Sequence, residues 1–299
     1  MGVCVGRMNR LKRLVLREPA PYRAAFLFLL GSGRSGNTLL RRLLVERYQV
    51  YIPAETYVIP EALATFNRAR PLDWPARVRL VLATFEYQTE FHTISRRGLL
   101  PVYQNCLALP FENQTFGDIL NILWAYLGEN ASIDYVLPGD KTPLNMYSIN
   151  MIARAFPNGR FLFITRNPLD VCSSYLKMKR YTSLRDAVLR WQMAHKNWLR
   201  FAGQQHDDAA MLVRYEDLVM APAKSVSEIG AWLEVPERSA ELPADVFWGD
   251  INEHRHHAAV KSTVSPDSIG KGAQSLTPEE VAYVRDNVGV LARRFGYDL

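Results

Sequence analysis

A chain of 299 residues that is 48% hydrophobic, 22% charged and 11% aromatic has the make-up of an ordinary globular protein, which excludes collagen-like, low-complexity and wholly disordered classes. The three cysteines, Cys4, Cys106 and Cys172, lie far apart with no Cys-x-x-Cys pair, which argues against a disulfide framework or a zinc knuckle and for a reducing, cytoplasmic setting. The net charge is +6, and most of it sits before residue 24, where Arg7, Arg10, Lys12, Arg13, Arg17 and Arg23 face Glu18 alone.

Residues 1–23 therefore read as a basic leader, and residues 24–299 as one domain. Met8, Leu11, Leu14 and Val15 recur at helical spacing in the leader, so it is either solvated or a basic amphipathic helix making peripheral contact with an anionic membrane. Residues 24–30 (AAFLFLL) are apolar but far short of the roughly 20 residues that span a bilayer. A buried strand is expected there. The loop GSGRSGN and the amphipathic stretch TLLRRLLVERY follow, giving strand, glycine-rich loop and helix. A second strand is expected at 48–52, ending at Pro53.

From 61 to 130 the pattern is helical but broken by Pro71, Pro75, Pro101 and Pro110. Several helices and a mobile loop are expected, with Trp74, Phe85, Tyr87, Phe91 and Tyr103 as candidates to line an acceptor pocket. A weak strand is read at 133–137, a loop at Gly139–Pro143, a helix through Phe156 and a buried strand at 160–165. Asn167 followed by Pro168 marks a helix start. A long amphipathic helix at 184–202, a strand at 211–215, helices at 223–233 and 277–294, and a loop at 249–275 complete the chain. Alternating strands and helices predict an α/β fold: a single doubly wound, mainly parallel sheet with helices on both faces and a P-loop-like nucleotide-binding architecture. With no basic stripe interleaved with aromatics in the body of the chain, nucleic acid is not an expected partner.

The loop after the first strand carries the strongest chemical signal. Gly31, Gly33 and Gly36 let backbone N–H groups turn inward, and the following helix start favours a bound anion. The nucleoside-triphosphate loop is nearly matched by Gly31, Gly36 and Thr38, but Asn37 stands where that loop needs lysine. The cation is instead Arg34, inside the loop. Arg166 ends a strand and Ser174 follows eight residues on; taken alone, they read as a structural salt bridge and a helix-surface residue.

Arg34-Ser35-Gly36-Asn37-Thr38 after a buried strand resembles the 5′-phosphosulfate loop of the sulfotransferases, which use 3′-phosphoadenosine 5′-phosphosulfate (PAPS) and release 3′-phosphoadenosine 5′-phosphate (PAP). The resemblance implies that Arg166 and Ser174 hold the 3′-phosphate. Glu55-Thr56-Tyr57-Val58-Ile59-Pro60 is similar to the Glu-Thr-x-x-Ile-Pro segment of tyrosylprotein sulfotransferases, secretory-pathway enzymes with a Golgi anchor, in which the glutamate is the base. Lys141 in Asp-Lys-Thr-Pro matches the lysine that stabilises the transferring group. Tyr215 in Tyr-Glu-Asp-Leu corresponds to a tyrosine that approaches the nucleotide, and Lys271 between two glycines echoes a later phosphate-contacting loop. The resemblance thus implies Glu55, Lys141 and Arg34 as catalytic residues, and Gly33, Arg34, Ser35, Gly36, Asn37, Thr38, Arg166, Ser174, Tyr215 and Lys271 as the donor site, with no metal. The acceptor is expected to be a glycan, a glycolipid or a small natural product, with protein tyrosine as a further possibility. The competing readings are a P-loop-type small-molecule kinase and a non-catalytic nucleotide-binding module. His254, His256 and His257 are too crowded for a metal site and read as a flexible acceptor-side loop, while His92 is the reserve candidate for the base.

Overall fold

The computed structural model describes residues 25–178, 183–205, 208–243, 246–249, 251 and 264–299. The basic leader and the His254–His257 cluster lie outside them. The strands are β1 (Phe26–Gly31), β2 (Val50–Tyr51), β3 (Leu137–Lys141), β4 (Gly159–Thr165) and β5 (Ala210–Arg214). They pair in parallel in the order β2-β3-β1-β4-β5. The helices before β3 are α1 (Asn37–Arg47), α2 (Ile59–Arg68), α3 (Trp74–Glu86), α4 (Phe91–Ile94), α5 (Leu100–Leu107) and α6 (Phe116–Asn130). Those after it are α7 (Ile149–Ala155), α8 (Pro168–Lys177), α9 (Leu184–Ala202), α10 (Tyr215–Met220), α11 (Pro222–Leu233), α12 (Lys271–Ser275) and α13 (Pro278–Arg293).

Every residue of β1 is buried, as a central parallel strand covered on both faces requires. The side chains of Phe26 and Phe28 meet Phe156 with ring centroids 5.2–5.3 Å apart, and Phe28 stacks on Phe161 at 5.3 Å. Trp124 of α6 packs edge-on against Phe26 and donates its indole N–H to the Gly139 carbonyl at 2.7 Å. That bond ties the helical insertion to β3. From β1 the chain leaves towards the β2 edge of the sheet, and from β4 towards β5. The crevice between their C-terminal ends is therefore the switch point at which open α/β sheets take their ligands.

Two strands differ from expectation. β2 is only Val50–Tyr51 because Tyr48 bridges antiparallel to Glu237 and the Gln49 N–H goes to the Pro236 carbonyl at 3.0 Å. The strand expected at 133–137 lies at 137–141 instead, so Gly139-Asp140-Lys141 is strand rather than loop, with Lys141 opposite Leu29. Buried partners for its polar side chains override its low β-propensity. The Asn167 side chain caps α8 as expected, accepting the Leu169 N–H at 2.9 Å, with Pro168 in the first turn.

Candidate active site

The loop between β1 and α1 is shaped by three left-handed residues, Gly33 (φ 73°), Arg34 (φ 54°) and Gly36 (φ 96°). At Gly36 a Cβ would stand 2.4 Å from the Tyr215 ring, and at Gly33 it would stand 2.4 Å from the Tyr175 hydroxyl. Only glycine allows that curvature and that approach together. Ser35 is fully buried, its hydroxyl 2.8 Å from that of Ser32, and the Tyr175 hydroxyl donates to the Ser32 carbonyl. Gly36 caps α1 without any side-chain bond, and the first turn of α1 holds no acidic residue. The positive end of the helix dipole thus faces the loop unopposed. Asn37 and Thr38 are buried in that turn, the Asn37 amide lying over Gly31.

Across the β1–β4 crevice, Arg34 Nε donates to the Ser174 hydroxyl of α8 at 3.1 Å. Arg166, just beyond β4, lies over the Tyr215 ring with its guanidinium carbon 4.3 Å from the centroid. It donates to the Ser268 carbonyl at 2.7 Å and to the Arg34 carbonyl at 3.4 Å. The Tyr215 hydroxyl meets the Ser268 hydroxyl at 2.6 Å. Asp170 of α8 stands 3.8 Å from Arg166 and accepts the Gly270 and Gly272 N–H groups at 3.0 and 2.6 Å. The 264–272 segment is thereby folded over Arg166. Lys271 begins α12 there, exposed.

On the other flank of β1, Lys141 ends β3, and its Nζ lies 2.8 Å from Glu55 Oε1. The Lys141 side chain has no exposure, whereas that of Glu55 is one-fifth exposed. Because β3 pairs with β1 at Leu29↔Lys141, this ion pair sits at the strand end where the glycine loop begins. The crevice thus has cations on both sides of a glycine cradle, with the Glu55 carboxylate at the margin beside Lys141 and Asp170 beside Arg166.

Two groups suit this crevice to an anionic ligand. Both polar atoms of the buried Asn37 amide, and Nε of Arg166, have no hydrogen-bond partner among the described residues. Buried polar atoms are seldom left unpaired, and these belong to the first turn after the glycine loop and to the cation of the crevice. Arg34, Ser35, Gly36, Asn37, Thr38, Arg166, Ser174 and Tyr215 are brought together, and Glu55 and Lys141 flank them. His92 is exposed on α4. Phe85 is core, Tyr87 is exposed, and Trp74 is held by its N–H on the Cys106 carbonyl at 2.8 Å. Cys172 is packing, its thiol pushed up to about 12 by burial.

Sequence reasoning missed Ser268, Asp170 and Tyr175, which close the crevice, and Thr56, Asp140, Thr142 and Asn145, which surround the ion pair. Asp140 and Thr56 stand within quoted motifs, but nothing in their spacing shows that they touch. Among the described residues no cluster of metal-ligating side chains and no helix able to cross a membrane is present.

The family model described as "Sulfotransferase family" matches residues 27–239. Protein-tyrosine sulfotransferase A of Caenorhabditis elegans is 24% identical over 283 residues, covering 91% of this chain and 67% of that protein. Protein-tyrosine sulfotransferase of Drosophila melanogaster is 26% identical over 284 residues, and the chain spans 51% of its length. The sulfotransferase domain from the Synechococcus PCC 7002 olefin synthase has the same fold, with a TM-score of 0.57, 20% identity and coverage of 95% of this chain and 98% of that one. These relatives correct the expectation of a cytoplasmic protein. They carry the name of the tyrosine-sulfating branch, to which the resemblance attaches a secretory-pathway setting, and widely spaced cysteines do not outweigh that.

Proposed function

The chain belongs to the sulfotransferase family, and we propose that its donor is PAPS and that Glu55 is the base acting on the acceptor. The enzyme moves a sulfuryl group to a hydroxyl acceptor. When bound, PAPS supplies an activated sulfuryl group on a phosphate leaving group. The acceptor hydroxyl gives its proton to Glu55 as its oxygen bonds to sulfur and the sulfur–phosphate oxygen bond breaks. Lys141, Arg34 and the loop N–H groups stabilise the charge that gathers on the equatorial and leaving oxygens. Arg166 and Ser174 hold the 3′-phosphate, with the Tyr215 ring under the guanidinium; Ser35, Asn37 and Thr38 line the 5′ side, and Lys271 adds charge at the rim.

The observation that carries this reading is the 2.8 Å Glu55–Lys141 pair at the strand end beside the glycine loop. A binding module would not need a carboxylate there, and a triphosphate kinase would need a lysine where Asn37 stands. Protein tyrosine, the acceptor in the relatives' names, is the first to test, followed by small-molecule phenols and alcohols, then glycans and glycolipids. With ³⁵S-labelled PAPS, label is expected to reach a hydroxyl acceptor at an unchanged rate in EDTA. Phosphate transfer from magnesium-ATP, with no sulfate transfer, would overturn the reading.

A further inference from the structure

The segment that carries Glu55 is fastened to β3 by a buried polar network that proton transfer itself does not require. Asp140, Thr56 and Thr142 have no solvent exposure. The Thr56 hydroxyl donates to Asp140 Oδ1 at 2.8 Å, and Asn145 Nδ2 donates to Oδ2 at 2.7 Å. The Thr142 hydroxyl oxygen accepts the backbone N–H groups of Thr56 at 3.1 Å and Tyr57 at 3.4 Å. Residues 55 and 56 are thus paired with 141 and with 140 and 142, while Tyr57 turns the chain away at φ 61°. On the far side, Arg41 donates to the Pro53 carbonyl at 3.1 Å and the Trp248 carbonyl at 2.8 Å.

A fully buried carboxylate is costly unless hydrogen bonds compensate it. Burial raises Asp140 to about 6, a sign of that cost. What the network secures is the position of one short segment. We propose that Asp140 is a positioning residue for sulfuryl transfer, holding Glu55 on Lys141 by anchoring the neighbouring Thr56. This rests on Glu55 being the base. Glu55 is one peptide from the anchor, so loss of the anchor lets the carboxylate drift, and misplacement by about 1 Å costs on the order of 100-fold in rate.

The test measures kcat, acceptor KM and PAP affinity for Thr56→Val, Thr56→Ser, Asp140→Ala, the Thr56→Val/Asp140→Ala double variant and Glu55→Gln. Thr56→Val is expected to lower kcat by roughly 10- to 100-fold while PAP affinity and acceptor KM stay close to wild type. Thr56→Ser, which keeps the hydroxyl, should recover most of that loss. If Asp140 acts through Thr56, the double variant loses no more kcat than Asp140→Ala alone. Should Asp140→Ala fail to fold, the Thr56 pair decides. Wild-type kcat in Thr56→Val, or an equal loss in Thr56→Ser, would overturn the proposal. So would a parallel loss of PAP affinity. If Glu55→Gln stays active, the base assignment fails instead; if it is inactive while Thr56→Val is normal, only the positioning role fails.

Discussion

Replacing Glu55 in two ways separates its part in folding from its part in chemistry. Lys141 is fully buried and its Nζ lies 2.8 Å from the Glu55 carboxylate. Glu55→Ala takes the carboxylate away from a buried ammonium, a change that costs roughly 3–5 kcal/mol when both partners are buried. Because Glu55 is one-fifth exposed, water can reach the vacated side, so the lower end, about 3 kcal/mol, applies. Glu55→Gln leaves an amide oxygen to accept from Nζ and exchanges a charge-assisted bond for a neutral acceptor, at about 1 kcal/mol. For a domain of this order of size each kcal/mol lowers the melting temperature by roughly 2–4 °C. Thermal unfolding followed by circular dichroism should therefore place Glu55→Ala about 6–12 °C below wild type and Glu55→Gln about 2–4 °C below. With Glu55 proposed as the base, both variants should lose roughly 10²- to 10⁴-fold in kcat. Equal activity losses with unequal melting temperatures are the expected signature. A Glu55→Ala protein as stable as wild type would contradict the buried pair, and Glu55→Gln turnover within tenfold of wild type would remove Glu55 as the base.

Gly36→Ala should weaken PAP binding at least tenfold in calorimetry, because the new Cβ needs φ near 96° and meets the Tyr215 ring that supports Arg166; strain of about 1–3 kcal/mol is expected, and unchanged affinity would mean that the loop is not the donor cradle. His195 supplies a pH signature: burial lowers it to about 3, so its contribution to stability is complete above 6.5 and is lost as pH falls towards 3. Asp140, raised by burial from 3.8 to about 6, acts oppositely, contributing fully below 3.8 and losing that contribution as pH rises through 6. From pH 6 to 4 the two offset each other in the wild type. His195→Gln removes the His195 effect and leaves that of Asp140, so urea unfolding should show the variant gaining about 1.4 kcal/mol per pH unit relative to wild type on acidification; parallel curves would refute the assignment.

The strands β1 and β4 were legible because each holds a run of consecutive apolar residues, and the long helix at 184–202 because its apolar positions recur at helical spacing. β3 was misplaced because Gly139-Asp140-Lys141 looks like a polar turn; what makes it strand is tertiary, the pairing with Leu29 and the buried partners of its side chains. The glycine loop was readable from spacing, since three glycines around a cation after a buried strand leave few alternatives. Glu55 and Lys141 lie far apart in the chain, and only the resemblance joined them before the fold did. Ser268 and Asp170 gave no signal at all. Each acts through a contact spanning about a hundred residues, the Ser268 carbonyl to Arg166 and the Asp170 carboxylate to Gly272, and single-residue polar contacts leave no periodic trace.

We propose that the crevice between β1 and β4 is a PAPS site whose 3′-phosphate lies on Arg166. Calorimetric titration of PAP and of ATP, each with and without magnesium, tests it on the wild type and on Arg166→Ala. PAP is expected to bind tightly without metal and to lose roughly 10- to 100-fold in affinity in Arg166→Ala, as charge-assisted hydrogen bonds worth about 1.5–3 kcal/mol disappear. Preference for magnesium-ATP, or PAP affinity indifferent to Arg166, would contradict the claim.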